Sequence, residues 1–154
     1  MTPPAIGETS LTALLATLNL ALCPTTYVFL TIPATAQASS IPKALLDTAI
    51  LTFREAEGLT LIAPQDIASL HQHHQITSQY PCRMITCAVH SSLEAVGFLA
   101  VLTRALADSG ISCNPVSGYF HDHLFVPVGK EEEAVSVLEG LVRDAKKASG
   151  EGGS

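Results

Sequence analysis

His121, Asp122 and His123 stand side by side in a chain with few ionisable residues, and that order could serve several kinds of chemistry. On a strand, alternation puts both imidazoles on one face and Asp122 on the other. Two imidazoles so placed can hold zinc if a third ligand joins them, and His90 is the candidate. HDH can equally be a polar turn between two strands, its side chains hydrogen-bonded to the backbone. Asp122 could orient a neighbouring imidazole as a general base, yet no oxyanion donor is evident nearby. His71, His73 and His74 form a second cluster in a glutamine-rich stretch that reads as a solvated loop.

The run His90-Ser91-Ser92-Leu93-Glu94 offers a different chemistry. Ser91 is a good N-cap and Glu94 lies three residues on, a capping box that starts a helix over 92–109. Leu93, Val96, Leu99, Ala100, Thr103 and Leu106 recur at helical spacing, and Gly110 stops the helix. The first-turn N–H groups of such a helix, around Ser92–Glu94, make a seat for a carboxylate. An ordinary structural cap would look the same. A His90–Ser91 nucleophile pair is disfavoured, because adjacent residues seldom reach each other and the serines already serve as caps. Carbonyls between Asn114 and Gly118 could meet an ammonium group. Arg54, Glu55 and Glu57 place three charges in an otherwise apolar segment. Arginine grips carboxylates bidentately and glutamate holds ammonium, although a local ion pair in an exposed hairpin fits as well. No glycine-rich phosphate loop is present.

The elements that must position these residues follow from pattern. A helix is expected over 10–20, capped by Thr9, and a buried strand over 27–32. Residues 33–49 read as a loop or insertion that turns helical near 43–48. Short strands over 50–53 and 59–63 precede a helix that Pro64 opens and that runs to 70. A polar linker over 71–81 follows. Then come a strand (83–89), the 92–109 helix, two strands (112–117 and 123–128) and a helix (130–145) with acidic residues at its start and lysines at its end. A weak internal repeat aligns 9–18 with 91–102 and 59–70 with 123–138. Neither half has four strands of its own, so strands shared or exchanged between units or subunits are expected, and a homodimer would cover open sheet edges.

Composition narrows the function. At 154 residues the chain is one compact domain or two very small ones, and 47% hydrophobic residues suffice for a core. Eight Lys and Arg against fourteen Asp and Glu leave a net charge of −6, with no basic cluster for nucleic acid or an anionic membrane. The longest apolar run, 11–22, is too short and too polar to span a bilayer. The first residues lack the basic start of a signal peptide. The four cysteines contain no CxxC pair and read as reduced and mostly buried, as in a cytoplasmic protein.

SSLEAVG, the ISCNPVSGY segment and HDHLFVPV together resemble a small family of ACT-domain proteins of undefined activity, which carry two ACT-like units in one chain. GETSLTALLATL, YVFLTIP and TFREAEGLTLIAP resemble the first unit of that family. The resemblance implies an α+β fold of two ferredoxin-like βαββαβ units with antiparallel sheets covered by helices, over 7–72 (with the insertion 33–49) and 82–146. It also implies a regulatory or sensory module for an amino-acid-like ligand, acting through a partner protein; no cofactor is expected. The expected site joins His90, Ser91, Ser92 and Glu94 to Asn114, Gly118, His121, Asp122 and His123, with Arg54, Glu55 and Glu57 closing it. Two other classes remain open: a small histidine-dependent enzyme, with or without a metal, and a structural dimerisation module.

Overall fold

The computed structural model describes residues 10–36, 38–72 and 75–151. The cap expected at Thr9, the linker residues His73 and His74, and the last residues of the tail lie outside them. The strands are β1 (Asn19–Pro33), β2 (Leu51–Arg54), β3 (Gly58–Pro64), β4 (Thr77–Ala88), β5 (Asn114–Ser117) and β6 (Asp122–Pro127). The helices are α1 (Leu11–Thr17), α2 (Lys43–Thr48), α3 (Gln65–Leu70), α4 (Phe98–Asp108) and α5 (Glu131–Glu151). The strands form an antiparallel sheet in the order β2-β3-β1-β4-β6-β5.

The chain forms two compact units, Pro24–Arg83 and the described part of Met1–Cys23 together with Met84–Ser154. β1 and β4 are long because each continues from one unit into the other. This supplies the strands that neither half of the sequence seemed to have. The Pro24–Arg83 unit takes β2-β3-β1-β4, and the other takes β1-β4-β6-β5, so each has four strands.

In the Pro24–Arg83 unit, β1 pairs antiparallel with β3 from Tyr27↔Pro64 to Pro33↔Gly58, and β2 closes the edge with Leu51↔Ile62. Alternation sends Val28, Leu30 and Ile32 to one face, where they meet Leu61, Ala63, Leu45 of α2 and Ala68 of α3. Phe29 packs edge-on against Tyr80, with ring centroids 5.8 Å apart.

The second core has the same logic. Ile85, Cys87 and Val89 alternate along and just past β4, and Leu124 and Val126 along β6. Against them lie Phe98, Leu102 and Leu106 of α4 and Ala134, Leu138 and Val142 of α5, both at four-residue spacing. Leu14 of α1 is fully buried in this core, so a helix from the start of the chain packs with α4 and α5.

Several expectations are corrected. α1 is capped by Ser10, whose side chain accepts from the Ala13 N–H at 3.5 Å, and it ends at Thr17. Residues 19–26, read as helix end and punctuation, are strand; Pro24 fits extended backbone and costs the ladder only one donor. Residues 77–81, read as linker, are the start of β4.

The largest correction concerns α4, which starts at Phe98 rather than near Ser92. Its N-cap is Gly97 at φ 90°, a left-handed conformation that glycine adopts without strain. There is no capping box: Ser92 Oγ accepts from the Glu94 N–H at 3.1 Å in a local turn. At 3.6 residues per turn, a longer helix would point Leu93 and Val96 away from the Phe98–Leu102–Leu106 stripe. Extension would bury neither, while Gly97 inside a helix costs about 1 kcal/mol. Leu93 and Val96 accordingly stand 70% and 86% exposed.

Candidate ligand-binding site

β5 and β6 form a hairpin in which Ser117 pairs with Asp122. The Gly118 N–H donates to the His121 carbonyl at 2.8 Å and closes a two-residue loop, Tyr119–Phe120, whose rings are exposed and stack edge-on. A side chain at Gly118 would bring Cβ to 2.9 Å from the His121 oxygen, so the turn requires glycine.

Alternation then divides the HDH triplet. Asp122 is 8% exposed and faces the helix layer, where its Oδ1 accepts from the Ser117 hydroxyl at 2.7 Å. Among the described residues no donor reaches its other carboxylate oxygen. His123 bonds Thr86 Oγ1 through Nδ1 at 3.0 Å. Burial, and then the neighbouring His121, lower the His123 pKa, and Asp122 only partly opposes them. His121 Nδ1 is buried and lacks a hydrogen-bond partner. Among the described residues no three His, Cys, Asp or Glu side chains converge as a metal would require.

Asp122 lines a cavity of about 200 Å³. Ser117 and Gly118 line it with Asp122, as do Ser91, Ser92, Leu93 and Ala95 and the start of α4, Gly97 to Ala100. The first N–H groups of α4 have no acceptor within the helix, and its dipole makes this end positive. A buried carboxylate and a positive helix end thus border the same cavity. Cys87 is buried near Asp122, and burial, with that charge added, pushes its thiol up to about 12. Burial of this kind favours the protonated, less reactive form of a thiol.

Of the residues expected to form one site, the structure gathers Ser91, Ser92, Gly118 and Asp122 around this cavity. His90, Glu94 and Asn114 are exposed and do not line it, nor do His121 and His123. Arg54, Glu55 and Glu57 belong to the β2–β3 hairpin of the Pro24–Arg83 unit. Glu55 accepts from the Thr60 hydroxyl, and with Glu57 it borders a separate depression of about 510 Å³ that includes Thr31, Thr77 and Gln79. Sequence reasoning missed Ser117 and the Gly97–Ala100 helix start. Treating Gly118–His121 as a tight hairpin would have set Ser117 opposite Asp122, and Gly97 before the FLAVL run would have marked the true helix start.

The comparisons with known proteins agree with this architecture. A Vibrio cholerae protein of unknown function is 36% identical, with a TM-score of 0.73 over 87% of this chain and 97% of that one. An Agrobacterium tumefaciens protein shares the fold at 16% identity, with a TM-score of 0.65 over 81% of this chain and 89% of the other. The ligand-free regulatory subunit of aspartate kinase from Thermus thermophilus shares it at 12% identity, with a TM-score of 0.63 over 82% and 97%. No curated protein matches the chain. Matches to the ACT domain cover residues 6–83 and 77–140, which together take in both four-stranded units. With two such units, each with helices on a four-stranded antiparallel sheet, the chain belongs to the ACT-domain family.

Proposed function

We propose that this protein is a regulatory module that binds a free α-amino acid in the cavity between the α4 N-terminus and the β5–β6 hairpin. The observation that carries this reading is Asp122, a largely buried carboxylate with a single hydrogen bond among the described residues, which borders the same cavity as a positive helix end. An amino-acid zwitterion has the matching polarity: its carboxylate accepts from the first N–H groups of α4, and its ammonium donates to Asp122. The fold shared with aspartate kinase regulatory subunits supports a regulatory role, exerted through a partner protein. Among the described residues, strands β2 and β5 each pair on one side only, which supports a homodimer that covers an edge.

The test is a thermal-shift screen against the twenty amino acids. A ligand present at 100 times its Kd stabilises the native state by about 2.7 kcal/mol. At least one amino acid should therefore raise the melting temperature in a concentration-dependent way. A flat response across the panel would end this reading.

A further inference from the structure

We infer that the cavity selects amino acids whose side chain carries a neutral hydrogen-bonding group, a hydroxyl or a carboxamide, and that the Ser91 hydroxyl reads this group, an inference that rests on the amino-acid reading above. Ser91, Ser92 and Ser117 all line the cavity. Two of these hydroxyls are already engaged within the protein: Ser117 donates its proton to Asp122, and Ser92 Oγ accepts from the Glu94 N–H. Among the described residues the half-buried Ser91 side chain makes no hydrogen bond. Its proton and its lone pairs are both left for what enters the cavity. The residue is held there by its backbone, whose N–H donates to the Val89 carbonyl at 2.9 Å.

Charge narrows the ligand further. Asp122 is the only ionisable residue that lines the cavity among those described. In the proposed function the ligand carboxylate takes the helix end and its ammonium takes Asp122. An ionised side chain would then meet no counter-charge of its own, and a second carboxylate would face Asp122. A neutral hydroxyl or amide asks only for a donor or an acceptor, and Ser91 can be either. An aliphatic side chain of the same shape would displace water from Ser91 and return no hydrogen bond.

Calorimetric titration of the full chain with serine, alanine, threonine, valine, aspartate and lysine tests the inference. Threonine and valine differ little in shape, so their comparison isolates the hydroxyl. Threonine should bind about tenfold tighter than valine, serine should likewise exceed alanine, and aspartate and lysine should bind weakest. Ser91→Ala should weaken threonine about tenfold and valine hardly at all, with the melting temperature of the free protein unchanged. Ser91→Thr keeps the hydroxyl and should keep the preference. Valine bound as tightly as threonine by the unaltered chain would overturn the selectivity and leave the amino-acid reading intact. Equal losses for threonine and valine in Ser91→Ala would remove Ser91 from its role. Absence of binding by every amino acid would overturn both readings together.

Discussion

The Ser117 hydroxyl donates to Asp122 Oδ1 at 2.7 Å across paired positions of the β5–β6 hairpin. This bond occupies one oxygen of a largely buried carboxylate that borders the cavity, and among the described residues no other hydrogen bond reaches the group. A carboxylate can accept more than a single hydroxyl donor, so a further donor can complete its shell. In the proposed function the ligand ammonium does so.

Asp122→Asn keeps the shape of the side chain and an acceptor for Ser117 but removes the charge. A charge-assisted hydrogen bond contributes about 1.5–3 kcal/mol. The substitution should lower amino-acid affinity about ten- to a hundredfold. Stability of the free protein should change by less than about 1 kcal/mol, since no native ion pair is lost. Titration calorimetry beside a urea melt separates the two effects.

Gly118→Ala attacks the frame that holds Asp122. The added carbon would press on a carbonyl already bound to the residue's own N–H, so neither atom can give way without opening the turn. A loss of about 1–3 kcal/mol in urea unfolding is expected. Ligand affinity should fall as well, because the Ser117–Asp122 register depends on that turn.

His123 makes stability depend on pH. Its folded pKa lies below the ordinary 6.5, so the unfolded chain takes up the proton first. The native state keeps this contribution above about pH 6.5 and loses it as pH falls through the lowered folded value. Urea midpoints should decline between pH 7.5 and pH 5, and His123→Gln should flatten that decline. A decline of the same size in the variant would assign it to other groups.

Local pattern determined a good part of this protein. The β2 and β3 strands, α2, the α3 helix behind Pro64 and the acidic start of α5 lie within a residue or two of where spacing and turn chemistry put them. The opposite facing of Asp122 from its two histidines was legible too, because strand alternation needs no tertiary information. Tertiary structure decided the rest. Residues 19–23 are apolar enough for helix or strand, and only pairing in the sheet makes them β1. Whether Ser91 or Gly97 precedes α4 turned on which helix face could be buried, and that depends on a core made with α1 and α5 from the two ends of the chain. The site had the same dependence. Serines near 91, the α4 N-terminus and Asp122 are separated by up to about thirty residues in sequence, and only the packing of α4 on β6 brings them around one cavity.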